Sequence, residues 1–162
     1  MPDPAFEALY RSSVDDVFAY AAALLRDRSA AEEVTAAAFE RALRRAHTFD
    51  AQRGSHRAWL FGIVRNAALD ELRRRKRIAV LPEGEIGPPA PPDDPDETAR
   101  RITVRAALAE LEPRDRELVA LRFHGGLDHN EIAAVLGISP TNASTRLHRT
   151  LTRLREACHV PS

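Results

Sequence analysis

The stretch from Pro140 to Arg155 carries side chains whose chemistry suits contact with DNA. It contains four arginines and no aspartate or glutamate, and a carboxylate at such a place would repel DNA phosphates. In a major groove, arginine pairs with guanine, asparagine pairs with adenine, and the threonine methyl group contacts thymine. A solvated polar face on an ordinary helical hairpin is the alternative interpretation. The residues predicted to face DNA are Thr141, Asn142, Ser144, Thr145, Arg146, His148 and Arg149.

A second candidate for nucleic-acid contact is a run of five consecutive cations at positions 73–77. Cations favour the C-terminal end of a helix through its dipole, but five in a row exceed what a dipole requires. Trp59 and Asn66 precede the run at helical spacing, although a lone tryptophan is more often a core residue than a surface on which a base stacks. The run consists of Arg73, Arg74, Arg75, Lys76 and Arg77.

The sequence contains no convincing catalytic or metal-binding constellation. Its single cysteine, Cys158, excludes an internal disulfide and a zinc site built from cysteines. The six histidines lack metal-ligand spacing apart from His124 and His129, whose pairing we interpret as incidental. No glycine loop for phosphate, no nucleophile motif and no apolar run long enough to span a membrane are present. We therefore predict a cytoplasmic protein that is not an enzyme, needs no cofactor or metal, and does not insert into membranes.

The overall charge of zero conceals three segments of different charge. Residues 1–81 hold 14 basic and 11 acidic residues, and residues 98–162 hold 10 basic and 7 acidic residues. Between them, residues 82–97 hold six prolines, six acidic residues and no cation. Proline removes amide donors and keeps the preceding residue extended, so this segment is not expected to be helical. We predict two bodies that are joined by an acidic linker and move independently in the free protein, unless a partner or the linker itself clamps them together.

Helical periodicity dominates both bodies, and no segment alternates with the period of two that is typical of strands. In the first body, Ser29 is the expected N-cap of a second helix, with Glu32 completing a capping box. A break at residues 47–55 separates that helix from a long one predicted over residues 56–77. In the second body we expect helices over residues 98–111 and 113–123. The predicted fold class is therefore all-α, with two small helical domains.

The segment from residue 127 to residue 154 is typical of a helix–turn–helix, in which a short turn containing glycine joins two helices. Gly137 supplies the positive φ that a helix C-cap needs. Ser139 is the expected N-cap of the next helix, and Pro140 occupies its first position. The predicted buried stripe of that helix consists of Ala143, Leu147, Leu151 and Leu154.

Several segments of the chain resemble conserved regions of the extracytoplasmic-function sigma factors. The second region of that family is similar to DRSAAEEV at 27–34, FERA at 39–42 and WLFGIVRNAALDELRRR at 59–75. The fourth region is similar to LAELEPRDREL at 108–118 and to the stretch from EIAAVLGIS at 131–139 through RLHR at 146–149. The segments occur in the family's order, with a variable linker between them.

The resemblance implies a sigma subunit that binds core RNA polymerase and promoter DNA. It implies that residues 1–81 bind the polymerase and recognise and melt the −10 element, and that residues 98–162 read the −35 element. An anti-sigma factor is an implied partner. Such a partner could hold this otherwise cytoplasmic protein at the membrane. The implied −10 contacts are Phe49, Trp59, Asn66 and the five cations Arg73, Arg74, Arg75, Lys76 and Arg77. The implied polymerase contacts are Glu32, Glu33, Ala36, Phe39 and Glu40.

The sequence departs from the family's pattern at two places. Residues 35–38 are Thr-Ala-Ala-Ala where the family usually has an acidic face containing glutamine, and no cation stands at Ser144. The alanines either admit a partner helix or pack on the protein's own first helix. The acidic linker either acts as a solubilising tether or covers a basic surface of the free protein. Other functions left open are a helix–turn–helix repressor or activator, a degenerate sigma-like interaction protein and, least supported, a metal-dependent enzyme.

Overall fold

The computed structural model describes residues 4–78 and 95–158, and over these two ranges the chain forms seven α-helices and no strand. Before the linker lie α1 (Pro4–Leu25), α2 (Arg28–Arg44) and α3 (His56–Ile78), with a short 3-10 turn at Ala46–Thr48. After the linker lie α4 (Pro95–Glu110), α5 (Pro113–Phe123), α6 (His129–Leu136) and α7 (Pro140–Cys158). The all-α prediction is confirmed. Within the described ranges, no helix has the length and apolarity required to cross a membrane.

Helices α1, α2 and α3 pack against one another around small and branched side chains. Val17 of α1 and both Leu60 and Val64 of α3 are fully buried. Ala38 of α2 is also fully buried, and its small side chain lets the neighbouring helices approach closely. Because interiors are packed as densely as organic crystals, this three-helix unit holds the start of α3 in a fixed position.

Two helices begin at residues that differ from the prediction. Asp27, not Ser29, is the N-cap of α2, because its backbone is extended and its carboxylate accepts a hydrogen bond from the amide of Ala30 at 3.1 Å. A carboxylate caps as well as a hydroxyl, and Asp27 also forms an ion pair with Arg75 at 2.7 Å. Helix α4 begins at Pro95, so the last three residues of the predicted linker are helical. Proline fits the first position of a helix because its missing amide would have no partner there.

The helix–turn–helix is formed by α6 and α7, as predicted. Asp128 caps α6 in a capping box with Glu131, in which each side chain accepts from the other's backbone amide at 2.8 and 3.1 Å. Gly137 ends α6 with a φ of 70°, a conformation that favours glycine. Ser139 caps α7 by accepting from the amide of Asn142 at 3.1 Å. The four predicted apolar positions of α7 are buried or half-buried, so α7 is held against the neighbouring helices.

The helices on the two sides of the linker pack directly against each other, α1 against α5 and α3 against α6. Leu118 and Leu121 of α5 and Ile132 of α6 are fully buried in the same hydrophobic core as the first three helices. This arrangement differs from the prediction that the two bodies move independently, because each body covers apolar side chains of the other. Most of the predicted linker, residues 82–94, lies outside the described residues.

Candidate DNA-binding and polymerase-binding surfaces

Helix α7 presents most of its predicted DNA-facing side chains to solvent. Arg146 is the exception, because it is half-buried and lies 3.7 Å from the carboxylate of Asp115. Arg149 is exposed and forms no ion pair with any described residue, so its guanidinium can contact a base or a phosphate. The exposed members of the predicted set are Thr141, Asn142, Ser144, Thr145, His148 and Arg149.

Three ring side chains gather where the segment at 47–55 enters α3. Phe49 stacks on His56 with the ring centroids 4.0 Å apart and the planes 15° apart, and it contacts the edge of Trp59 at 5.7 Å. All three rings are half-buried, so each keeps part of its surface in solvent. Rings placed in this way can stack with an unpaired base. Asn66 is exposed about 10 Å further along the same side of α3.

His56 belongs to this ring cluster, and sequence reasoning did not identify it. Its spacing of three residues from Trp59 on one helix was the available signal, because residues three apart share a helix face. The rings of His56 and Trp59 lie 5.5 Å apart. The ring cluster therefore consists of Phe49, His56 and Trp59.

Arg75 does not join the basic surface that its position in the run of cations predicted. Its side chain is only 14% exposed, and its guanidinium binds Asp27 at 2.7 Å, Glu71 at 3.3 Å and the carbonyl of Leu25 at 3.2 Å. These contacts fasten the end of α3 to the turn between α1 and α2. In this structure the charge of Arg75 is used within the protein and is not presented to DNA.

The other four cations of the run differ in how strongly they are held. Arg73 and Arg74 form ion pairs with carboxylates one turn earlier, at 3.0 and 2.8 Å. The hydrogen bond from Arg74 lowers the pKa of Glu71, so that carboxylate stays charged. Lys76 and Arg77 are exposed and pair with no carboxylate in the described part of the chain. The strongest candidates for phosphate contact at this end of α3 are therefore Lys76 and Arg77.

The residues predicted to bind polymerase divide between the surface and the core of α2. Phe39 is 6% exposed and packs edge-on against Tyr10, with the centroids 4.8 Å apart, so it supports the fold and is not a free contact residue. The alanine stretch is divided too, because Ala37 faces solvent and Ala38 lies in the core. The predicted contacts that remain exposed are Glu32, Glu33, Ala36 and Glu40.

A network around Glu117 joins the two groups of helices. The Glu117 carboxylate, buried on α5, accepts hydrogen bonds from Arg65 of α3 and from the hydroxyl of Tyr20 on α1, the latter at 3.2 Å. The Tyr20 ring also packs edge-on against Phe61 at 5.4 Å. Burial, and then the charge of Glu117, raises the pKa of Tyr20 well above its ordinary value. The phenol therefore stays protonated and serves as a donor.

Arg57, in the first turn of α3, makes a second bridge. Its guanidinium binds the Asp16 carboxylate at 2.6 Å and the carbonyl of Gly125 in the turn between α5 and α6. Next to it, the Ser55 hydroxyl donates to Glu131 of α6. The start of α3 is thus connected to the helix–turn–helix. Sequence reasoning missed these residues because the partners are separated by 41 to 76 positions and leave no local pattern.

Comparison with known proteins gives a match on both sides of the linker. The family model described as Sigma-70 region 2 matches residues 9–78, and the family model described as Sigma-70, region 4 matches residues 101–154. The ECF RNA polymerase sigma factor SigE of Mycolicibacterium smegmatis is 33% identical over 159 residues, which cover 94% of this chain and 61% of SigE. The RNA polymerase sigma factor CarQ of Myxococcus xanthus is 34% identical over 161 residues, which cover 94% of this chain and 88% of CarQ.

Two solved structures have a similar fold. The sigma factor RpoE of Bartonella quintana, solved with the anti-sigma factor NepR, superposes with a TM-score of 0.79 at 23% identity and covers 99% of this chain and 100% of that one. CnrH, solved with the cytosolic domain of CnrY, superposes with a TM-score of 0.68 at 26% identity and covers 98% of this chain and 90% of that one. With both sigma regions matched in order and a relative such as CarQ aligned over most of its length, this chain belongs to the ECF group of the sigma-70 family of RNA polymerase sigma factors.

Proposed function

We propose that this chain is an alternative sigma factor that directs core RNA polymerase to specific promoters and initiates transcription there. The observation that carries the proposal is an exposed, acid-free recognition face on α7, in the same chain as a solvent-accessible ring cluster at the start of α3. One surface suits duplex DNA and the other suits an unpaired base. Residues 98–162 are assigned to the −35 element, and residues 1–81 to polymerase binding and the −10 element.

The ring cluster is the proposed site for an unstacked base of the −10 element. Extruding a base costs a few kcal/mol, and stacking on an aromatic side chain returns roughly 1–3 kcal/mol per base. Phe49, His56 and Trp59 supply the ring surface, and Asn66 supplies hydrogen-bonding groups further along α3. Lys76 and Arg77 are placed to bind neighbouring phosphates, because they are the cations of the run that no described carboxylate neutralises.

The exposed acidic face of α2 is the proposed contact for core polymerase. Glu32, Glu33 and Glu40 project from one helix that is fixed at its N-terminus by Asp27. Glu32 and Glu40 form long, exposed ion pairs with Arg28 at 3.5 Å and Arg44 at 3.9 Å, and exposed pairs of this kind are weak. The three carboxylates therefore still suit a basic partner surface and give the encounter electrostatic direction. Ala36 lies among them and allows a partner helix to approach closely.

An anti-sigma factor is proposed as a further partner, and the structure offers a groove of about 590 Å³ between α1, α4 and α5 for it. Alanines are among its lining residues, and Arg26 and Arg105 stand around it without a carboxylate partner among the described residues. Arg116 also lines the groove, but its guanidinium donates to the carbonyls of Leu108, Ala109 and Leu111. Burial, followed by the charge of Arg26, lowers the pKa of Arg116. An amphipathic helix with leucines on one face and acidic residues at its edges fits such a groove. We propose that the free protein is cytoplasmic and that it is held at the membrane only when it is bound to a membrane-anchored partner.

The proposal is tested by adding the full chain to core RNA polymerase and sequencing the transcripts made from a fragmented genomic library. Discrete start sites with a shared pair of promoter elements are the expected result. Arg149→Ala should reduce this transcription, whereas the matched control Arg11→Ala removes an exposed, Glu7-paired charge from α1 and should not. Polymerase that transcribes no better with the chain than without it would contradict the proposal.

A further inference from the structure

One carboxylate lies among the arginines of the recognition helix. It belongs to Asp115, in the first turn of α5, and α7 itself has no acidic residue between positions 140 and 155. We propose that Asp115 occupies, in the DNA-free protein, the place that a backbone phosphate takes when DNA binds. Asp115 thereby weakens binding to non-specific DNA and acts as a specificity-determining residue. This inference rests on the proposed function of α7 as a DNA-reading helix.

The geometry places one carboxylate between two guanidinium groups. Oδ1 of Asp115 lies 3.7 Å from Nη2 of Arg146, and Oδ2 lies 3.7 Å from Nη1 of Arg153. The two arginines are seven residues apart, two helical turns, so they project from the same side of α7. Each carboxylate oxygen therefore attracts a different arginine, as two oxygens of a phosphate could.

The two arginines are close enough to Asp115 for electrostatic attraction, but they are too far from it for short hydrogen bonds. Charge-assisted hydrogen bonds between guanidinium and carboxylate groups measure about 2.7–2.9 Å, and both separations here are longer by nearly 1 Å. The carboxylate is 16% exposed, whereas Arg153 is 67% exposed. The two arginines and Asp115 keep a net charge of +1. The arginine side chains can therefore turn from Asp115 to an incoming phosphate.

Replacement of the Asp115 carboxylate by a DNA phosphate has different consequences for non-specific DNA and for promoter DNA. Non-specific DNA offers phosphates only, so it must compete with Asp115 for Arg146 and Arg153. A promoter also offers base edges to exposed residues of α7 such as Arg149, and these contacts offset the competition. Specificity is a difference between affinities, and an internal competitor that penalises phosphate-only binding increases that difference.

The test compares the full-length wild type with Asp115→Asn, using a fluorescent duplex of random sequence titrated at several salt concentrations. The variant should bind this probe more tightly, with a plot of log K against log salt that is steeper by about 0.9, the value for one added phosphate contact. Equivalently, the ratio of variant to wild-type affinity should fall about 3.5-fold as salt rises from ~50 to ~200 mM. With core polymerase, added random DNA should inhibit promoter transcription by the variant more strongly than by the wild type.

Three further variants separate this role from a structural one. Asp115→Glu keeps the charge and should restore the wild-type slope, and adding Arg146→Ala to Asp115→Asn should remove the added contact. Glu7→Gln removes a charge from the exposed pair on α1 and should leave the slope unchanged. An unaltered slope in Asp115→Asn, or a loss of binding that follows a lower melting temperature, would overturn the proposal. Loss of transcription with these binding results intact would instead count against the sigma function.

Discussion

Removing the charge of Glu117 tests how firmly the two halves of the molecule are packed together. Glu117→Gln keeps the size of the side chain and an acceptor for Tyr20, but it leaves Arg65 without its counter-ion. A hydrogen bond to a charged group contributes about 1.5–3 kcal/mol. Arg65 is one-quarter exposed and can regain water. We therefore expect the free energy that holds the two halves together to fall by about 2 kcal/mol, which is a factor of about 30 in the equilibrium between packed and separated halves.

The assay is energy transfer between a dye on Cys158, the exposed native cysteine, and a dye on a cysteine introduced at Ser29. Urea should separate the dyes at a lower concentration in Glu117→Gln than in the wild type. Arg65→Gln should have a similar effect, and the double variant should lose much less than the sum of the two. Glu7→Gln, in an exposed pair worth less than about 1 kcal/mol, is the control. A shift no larger than that of the control would refute the reasoning.

Three other predictions concern separate parts of the molecule. Arg149→Ala should weaken promoter binding by ~1–3 kcal/mol if Arg149 pairs with a base, and unchanged binding in a filter or anisotropy assay would exclude that role. Asp27→Ala should lower the free energy of unfolding by about 2 kcal/mol, since both a cap and an ion pair are lost, and equal urea midpoints for it and Ser29→Ala would contradict the cap assignment. Desolvation lowers the pKa of His124 below 6.5, with nearby Asp16 opposing the shift. The unfolded chain therefore binds the proton more readily, so stability is present above about pH 6.5 and lost as pH falls through the folded pKa. His124→Gln should flatten the dependence of melting temperature on pH, and an unchanged profile would argue against His124.

Local chemistry in the sequence was sufficient to place most of the helices. Pro113 and Pro140 start helices, and Gly137 ends one, because each residue has a backbone preference that neighbours do not override. At Asp27 and Ser29 the sequence offers two candidate caps, and the carboxylate that caps α2 also binds Arg75, a partner 48 positions away. Local pattern cannot supply that information.

The functional surfaces show the same division between local and long-range information. The polar face of α7 followed from helical spacing alone, and six of its seven predicted residues are exposed. The run at 73–77 predicts one basic surface, yet Arg75 is held by Asp27 and Leu25. The contacts of Glu117 and Arg57 across the two halves were not predicted, because an ion pair between distant segments exists only after the fold has formed.

The charge pattern of the folded chain leads to a final prediction about the free protein. On α7 and the end of α3, the cations with no described carboxylate partner are Arg149, Arg155, Lys76 and Arg77. Four phosphate contacts correspond to a slope of about −3.6 in log K against log salt, which is small for a DNA-binding protein. We expect the free chain to bind random duplex weakly with a slope no steeper than this, measured by anisotropy over a salt series. A slope near twice that value would mean that the internally paired arginines also bind phosphate. Weak binding by the free chain makes promoter recognition depend on polymerase, which supplies the remaining contacts and leaves the sigma subunit to distinguish sequences.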